Sequence, residues 1–174
     1  MRRQILTAAL LAAAFLALPG CGPFWVSPWI TVKESQLNWV EIHYYNLNRS
    51  PVRRIAVYLN GAGHVELKKG TSDRVSNDFA KRTDASEWDD YKTQRKMTTP
   101  EHAQEIFQHL VNCGVLDREK YLKRSDKKEF KRFIAVKANI SSHTYSEPDN
   151  IFEVDPDLAE QLLDVINEFD DPTL

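Results

Sequence analysis

The chain has 174 residues, of which 42% are hydrophobic and 28% charged, and its 23 basic and 25 acidic residues give a formal net charge of −2. This length suits one domain, and the apolar fraction is that of a chain with a packed core, which excludes an intrinsically disordered protein. The nearly neutral charge argues against nucleic acid as a partner, because nucleic-acid-binding domains need a basic face.

The first residues form a targeting pattern. Arg2 and Arg3 give a positively charged start with no acidic residue, and Ile5–Leu18 is a run of 14 mostly apolar residues. This order is typical of a secretory signal peptide. The run is shorter than the roughly 20 residues that a membrane-spanning helix needs. The sequence therefore predicts export of the chain.

The end of this pattern, Leu18-Pro19-Gly20-Cys21, resembles the lipobox of bacterial lipoproteins, in which Leu, a small residue and Gly or Ala precede a lipidated Cys. Pro19 stands where Ala or Ser is usual. The resemblance covers residues 1–21 and implies cleavage before Cys21, a thioether-linked diacylglycerol on its sulfur, and a lipid-anchored protein on the periplasmic or external side of the envelope. Gly22, in place of Asp, favours the outer over the inner membrane. The alternative is an ordinary secretory signal cut nearby, with Cys21 as a plain thiol.

The chain is expected to divide into a signal peptide (1–20), a membrane-proximal tether (21–30) and a single domain (31–174). The tether is rich in aromatic residues, and Trp side chains favour the headgroup region of a bilayer. Trp25 is therefore expected at the membrane interface. Trp29 is explained equally well by packing at the start of the first strand.

Alternating apolar residues predict the first part of a sheet. Leu37–Asn46 and Arg54–Leu59 read as strands, and residues 65–70 continue the alternation. Asn60-Gly61 predicts a type I′ hairpin turn between the second and third strands, because both central residues of that turn need positive φ. These three strands form an antiparallel meander. In the first strand one face is expected to be buried (Val40, Ile42, Tyr44) and the other exposed (Trp39, Glu41, His43, Tyr45).

The polar segment Thr71–Met97 is expected to be a long loop, with room for a short edge strand that the sequence does not place. Loops of this length are uncommon in compact domains and are often functional. Phe79 and Trp88 are expected to pack it over the sheet.

The next segment predicts a helix. Thr98 or Thr99 can cap it, Pro100 suits its first turn, and Glu101 lies at capping-box spacing from Thr98. Gly114 fits a left-handed C-cap. The helix would bury one apolar stripe, made of Ala103, Ile106, Phe107, Leu110 and Val111.

Phe133–Ile140 and His143–Ser146 predict two further strands, and Asp155-Pro156 begins a second helix. The order is three strands, a helix, two strands and a helix. The predicted fold is therefore α+β, with an antiparallel sheet of about five strands and two helices packed on one face. The second helix would bury Leu158, Leu162, Val165, Ile166 and Phe169.

Four side chains on the first helix have the chemistry of zinc ligands: His102, Glu105, His109 and Cys113. They share one stripe beside the apolar face, but that stripe is about 16 Å long at 1.5 Å per residue, too long for one ion to reach both ends. A boundary between buried and exposed faces gives the same pattern. A His109–Cys113 nucleophile pair is also disfavoured, since the C-terminal end of a helix does not stabilise a thiolate. No metal or cofactor site is predicted.

Two acidic clusters could serve hydrolysis or bind calcium, and most such clusters are solvated loops. One surrounds Trp88 (Asp84, Glu87, Asp89, Asp90), and the other precedes the second helix (Glu147, Asp149, Glu153, Asp155, Asp157). Capping and first-turn charges explain Asp155 and Asp157 equally well. A basic segment, Arg118–Arg132, is interpreted as a solvated connection, with contact to anionic lipid as the alternative.

These patterns predict a membrane-anchored envelope lipoprotein that acts as a non-catalytic binding or structural module, with Cys21 as its lipidation site. Its expected partners are the membrane and a protein of the envelope, with no nucleic acid. No catalytic residue is predicted. The alternatives are an inhibitor of an envelope or extracellular enzyme, acting through Thr71–Met97, and a hydrolase that uses the acidic loop residues.

Overall fold

The computed structural model describes residues 30–72, 87–116, 131–147 and 150–170. These residues form an α+β fold on an antiparallel sheet, as predicted. The elements in chain order are β1 (Trp39–Asn46), β2 (Val52–Asn60), β3 (His64–Ser72), β4 (Asp90–Met97), α1 (Pro100–Asn112), β5 (Arg132–Ile140), β6 (His143–Glu147), α2 (Ile151–Val154) and α3 (Pro156–Phe169).

The strands pair in the order β4-β3-β2-β1-β5-β6, all antiparallel. Ile42 at the centre of β1 lies opposite Val57 of β2 and Val136 of β5. The described sheet has six strands where about five are predicted, and the difference is β4, which lies within the expected loop Thr71–Met97. Nearly all of its side chains are exposed, so this edge strand carries no apolar alternation by which to recognise it.

The hairpin turns differ from the expectation at Asn60-Gly61. The β2–β3 connection is a three-residue loop, residues 61–63, in which Gly63 alone has a positive φ, of 82°. The type I′ prediction there is wrong. Two consecutive positive φ angles occur instead in the β5–β6 hairpin, at Ser141 (51°) and Ser142 (65°). Such angles are uncommon outside glycine, so two serines do not indicate this turn in advance.

Helix α1 begins at a threonine cap. The hydroxyl of Thr99 accepts a hydrogen bond from the backbone N–H of His102 at 3.1 Å. Because Thr99 is the cap, the third helical position is His102, and the capping box predicted between Thr98 and Glu101 is wrong. The helix ends at Asn112, and Gly114 shortly after it has the predicted left-handed conformation, with a φ of 100°.

The last two helices follow β6 directly. Asn150 caps α2 and also binds the neighbouring strand, because its Oδ1 accepts from the N–H of Ile134 at 3.1 Å. Asp155 caps α3, where its Oδ1 accepts from the N–H of Leu158 at 3.1 Å. Helix α2 raises the number of described helices to three, where two are predicted; it has only four residues, too few for a helical repeat.

One hydrophobic core joins the three helices to the sheet. The stripes predicted for α1 and α3 are buried, which confirms both helices and their orientation. They pack on aliphatic side chains that share one face of the sheet, namely Val40, Ile42, Ile55, Val57, Leu59, Val65, Leu67, Ile134, Val136, Ala138 and Ile140.

The segment that leads into β1 is fixed along α1 by two glutamine side chains. Gln108 accepts from the N–H of Val32 at 2.8 Å and donates to the carbonyl of Ile30 at 3.0 Å. Gln104 donates to the carbonyl of Val32 at 2.6 Å. Ile30 is partly buried against the core. The chain is therefore held against α1 before the sheet begins.

Candidate functional site

The face of the sheet opposite the helices has two unlike parts. The part called here the closed half consists of His43, Tyr45, Arg54, Ala56, Phe133 and Ala135, all buried. The part called the open half consists of Trp39, Glu41, Tyr58, Glu66 and Lys137, all at least partly exposed. The expectation that β1 exposes this whole face is therefore wrong at His43 and Tyr45, which are 1% and 0% exposed.

Arg54 lies at the centre of the closed half and is fully buried. Its Nη1 donates to the backbone carbonyl of Glu87 at 3.1 Å, and its Nη2 donates to Nδ1 of His43 at 3.3 Å. The same Glu87 carbonyl accepts from the hydroxyl of Ser72 at 2.7 Å. The residues just before β4 are thereby fastened over the sheet, which explains how a face without a described helix becomes buried.

Two aromatic rings contact the Arg54 guanidinium. Its Cζ lies 4.0 Å from the ring centre of Trp88 and 5.0 Å from that of Tyr45. Lys68 continues the stack, with its Nζ 4.7 Å from the Trp88 ring and 3.8 Å from the Tyr91 ring. Cations over aromatic faces are stabilised by about 0.5–2 kcal/mol, more when desolvated. The expectation that Trp88 packs over the sheet is confirmed.

The hydrogen bonds of the closed half determine the form of His43. An arginine can only donate, so Nδ1 of His43 must accept from Arg54 and carry no proton. Its Nε2 then donates to Oε1 of Glu41 at 2.9 Å. Glu41, His43 and Arg54 form a chain that leads from the open half to the buried cation.

Burial has the largest effect on Arg54 and lowers its pKa from the usual value, while Tyr45, Glu87 and Glu41 act in the opposite direction. The described part of the chain places no carboxylate within ion-pair distance of this guanidinium. The cation is therefore held by rings, a carbonyl and a neutral imidazole. The Glu41–His43 pair is hydrogen-bonded to the guanidinium of Arg54 and orients that hydrogen-bond donor. These three side chains include no nucleophile for acyl transfer.

The open half carries two stacked aromatic rings. Trp39 and Tyr58 lie 6.2 Å apart between ring centres at an angle of 29°. Lys137 lies on the far side of this pair, with its Nζ 5.8 Å from the Trp39 ring. Tyr58 is 37% exposed, and burial is the largest effect that raises its pKa. Large rings that remain this accessible on a sheet are available for contact with another molecule.

Beside Tyr58 the surface forms an open depression of about 400 Å³, which Arg95 and Met97 of β4 also line. Met97 is 62% exposed, and the Nε of Arg95 lies 3.1 Å from Oε2 of Glu66. The four residues Trp39, Tyr58, Arg95 and Met97 are called here the aromatic ledge. It combines apolar surface with a rim of paired charges.

The predicted stripe on α1 faces α3. His102 contacts carboxylates on both helices, with its Nδ1 3.3 Å from Glu105 and its Nε2 bonded to Glu168. These contacts, with the Glu168 hydrogen bond as the largest, raise the pKa of His102, while burial lowers it. The stripe therefore lies along the seam between the two helices, where it links α1 to α3.

The other end of the stripe is held in the same seam. His109 Nε2 lies 2.7 Å from Oε1 of Gln161, and the sulfur of half-buried Cys113 lies 3.7 Å from the same nitrogen. Glu105, His109 and Gln161 line an open groove of about 320 Å³. Within the described ranges no three His, Cys, Asp or Glu side chains are gathered closely enough to hold a metal ion.

The acidic clusters separate in the structure as far as it describes them. Glu87 offers its backbone carbonyl to Arg54, and Asp89 and Asp90 are exposed at the start of β4. Asp155 caps α3, as one interpretation expects. Glu153 lies in α2, and Asp157 lies in the first turn of α3. Asp84, Asp149 and the side chain of Glu147 lie outside the described positions.

Several predicted features also lie outside the described residues. These are Cys21, Trp25, Trp29, Phe79 and residues 118–130 of the basic segment. The longest described helix has 14 residues, and none of the described helices has the length and hydropathy required to cross a bilayer.

The burial of the closed half was not predicted from the sequence. Strand alternation placed Arg54 and His43 on an exposed face, where a charged side chain is ordinary, and nothing nearby in sequence indicates that Glu87 and Trp88 close over them. Trp88 was the available signal, because a lone Trp in a polar segment needs an apolar or cationic surface to cover.

A scan of protein-family models finds no match to this chain, and a search of curated protein sequences also finds none.

Proposed function

We propose that this chain is a lipid-anchored protein of the bacterial envelope that acts as a non-catalytic binding module, with the aromatic ledge as its contact surface for a protein partner. The observation that supports this most is the exposure of Tyr58, Arg95 and Met97 around one depression, with the half-buried ring of Trp39 stacked on Tyr58. Protein interfaces concentrate aromatic residues, Met and Arg, and Trp, Tyr and Arg contribute most of their binding energy.

The chemistry of the described residues favours binding over catalysis. The Glu41–His43 pair is hydrogen-bonded to the guanidinium of Arg54, which donates hydrogen bonds and is not a nucleophile. The carboxylates of Glu105 and Glu168 are engaged with His102 in the helix seam. The module is proposed to need no cofactor.

The anchor is the second part of the proposal. Lipidation of Cys21 would leave a tether that ends at Ile30, where the chain meets α1. Nine residues extend at most about 30 Å at 3.3–3.6 Å per residue. The ledge would therefore act close to the membrane surface, and the partner is proposed to be an envelope protein, with outer-membrane delivery favoured by Gly22.

The anchor is tested by fractionation of cells that express Cys21→Ala. We expect the variant to take up no labelled fatty acid and to move into the soluble periplasmic fraction, while the unchanged chain fractionates with outer membranes. Membrane retention of the variant, together with no fatty-acid labelling of the unchanged chain, would refute lipidation.

The ledge is tested by a photo-crosslinking amino acid placed at position 58 or 97 of the full chain in cells. We expect one adduct of the same mass from both positions and none from position 167, an exposed site on α3. In a chain that also carries Trp39→Ala the adduct should be lost. Equal adducts from all three positions would mean that the ledge is not the contact surface.

A further inference from the structure

We infer that the partner contributes an extended acidic segment, which adds to the sheet as a strand beside β4. This inference rests on the proposed function and specifies how the same surface binds. It concerns the outer edge of β4 (Asp90–Met97), next to the aromatic ledge.

The geometry of β4 suits the addition of a strand. Its eight residues pair with β3 in unbroken register from Asp90 opposite Thr71 to Met97 opposite His64. It is the terminal strand of the described sheet, and its sequence contains no proline. Alternate backbone N–H and C=O groups of such a strand point outward from the sheet, where an extended peptide can pair with them.

The charge of this edge specifies the partner. β3 and β4 together carry five basic residues, of which Lys69 pairs with Asp170 and Arg95 with Glu66; Asp90 is the remaining acidic residue of the two strands. The basic residues are Lys68, Lys69, Lys92, Arg95 and Lys96. Opposite charges on neighbouring strands stabilise pairing and like charges oppose it, so the surplus of positive charge favours an acidic strand.

The same charge argues against a second copy of this chain. Two β4 edges in contact would bring Lys92 and Arg95 of each copy to the basic strand of the other. Lysine-rich edges are a known protection against self-association. The β4 edge therefore repels the β4 edge of a second copy. Because it is also long and regular, it is suited to a partner of opposite charge.

The edge is continuous with the ledge. Tyr91, Thr93, Arg95 and Met97 alternate along β4 on the face opposite the described helices, and the last two belong to the ledge. A strand added to β4 would place every second side chain on that same face. Met97 would then receive an apolar residue of the partner beside its acidic residues, whereas Tyr58, two strands further in on β2, would meet the partner outside the added strand.

The test uses the full-length protein in a non-ionic detergent and three fluorescein-labelled octapeptides, read by fluorescence anisotropy. The first alternates Glu with Val, the second has Lys in place of Glu, and the third is the Glu peptide with alternate backbone nitrogens methylated. We expect the first to bind at least about tenfold more tightly than either of the others, because only it offers both the charge and the backbone donors.

Matched charge reversals locate the site. Lys92→Glu with Arg95→Glu should weaken the Glu peptide about tenfold, whereas Lys33→Glu with Arg49→Glu, two exposed residues away from β4, should leave its affinity within about twofold. Equal binding of the methylated peptide, equal loss in both double variants, or no binding of the Glu peptide would each overturn the inference. If the crosslinks from positions 58 and 97 persist in that case, the proposed function stands with a different kind of partner segment.

Discussion

The two faces of this sheet are buried by different means. On the helix-covered face, aliphatic side chains of four strands meet the apolar stripes of α1 and α3. On the closed half of the opposite face, Arg54 is enclosed by the rings of Trp88 and Tyr45 and hydrogen-bonded to His43. The first kind of burial is non-directional and spread over many residues. The second depends on the geometry of one guanidinium.

This difference predicts how each face responds to substitution. An aliphatic core tolerates exchanges that conserve volume, since no atom in it needs a partner. A buried polar centre does not, because each lost hydrogen bond leaves a desolvated acceptor. Substitutions in the open half should have little effect on stability, because its residues retain contact with water.

The largest effect is expected on the helix-covered face. Phe107 of α1 is fully buried in the core, and Phe107→Ala should lower the free energy of unfolding by about 3–5 kcal/mol through lost burial and a cavity. Urea denaturation measures this. Leu162→Met on α3 is the control and should cost less than about 1.5 kcal/mol. A loss below about half a kcal/mol for Phe107→Ala would show that α1 does not pack as described.

Arg54→Lys should cost about 1–3 kcal/mol although it preserves the charge. Lysine has one nitrogen, so it cannot serve both His43 and the Glu87 carbonyl in the forked arrangement, and it has no flat group to stack on Trp88. Arg53→Lys, at the exposed neighbouring position, is the control and should be nearly neutral. If both variants unfold at the same urea concentration, the closed half does not depend on the guanidinium.

A smaller effect should appear at the seam between α1 and α3 as a dependence on pH. The pKa of His102 is raised above its usual 6.5, chiefly by Glu168 and also by Glu105. The stability that the protonated ring contributes is therefore fully present below about pH 6.5 and is lost as the pH rises through the raised pKa.

His102→Gln should accordingly be less stable than the unchanged protein in mild acid, and the difference should shrink as the pH rises through the raised pKa of His102. Parallel urea titrations across this range give the measurement, and His143→Gln, an exposed position on β6, is the control. A difference that stays constant or grows with pH would mean that the ring is not stabilised as a cation.

The smallest effect is expected in the open half. Tyr58→Ala should change the free energy of unfolding by no more than about half a kcal/mol, as substitutions of surface residues usually do. The same variant is expected to lose the proposed contact with a partner. A large loss of stability would instead place Tyr58 among the residues that hold the fold, and the open half would then resemble the closed half.

The parts of this fold that follow a hydrophobic period were predictable from the sequence. β1, β2, β5 and both long helices were found because apolar residues recur every two or every three to four positions. β4 and α2 were not found, since an edge strand with exposed side chains and a single turn of helix have no such period. The type I′ turn expected at Asn60-Gly61 does not form, because the positive φ of the β2–β3 loop is adopted by Gly63.

The candidate site was less predictable than the fold. The alternation in β1 correctly separates Trp39 and His43 from Ile42, but the same pattern describes a face open to water and a face covered by a distant segment. Only the contact of Glu87 and Trp88 with Arg54 distinguishes the two halves, and those residues lie more than thirty positions from Arg54 in the chain. Periodicity reports which residues share a face; it does not report what lies over them.

The attachment of residues 30–33 to α1 has a mechanical consequence if Cys21 carries the anchor. Any pull on the tether reaches the domain first at Ile30, whose carbonyl accepts from Gln108, and then at Val32, whose carbonyl accepts from Gln104. Beyond that point the force enters β1, an interior strand of the sheet that is paired along its whole length with β2 and β5. Tension would therefore be shared by two ladders at once, and the edge at β4 would carry none of it directly.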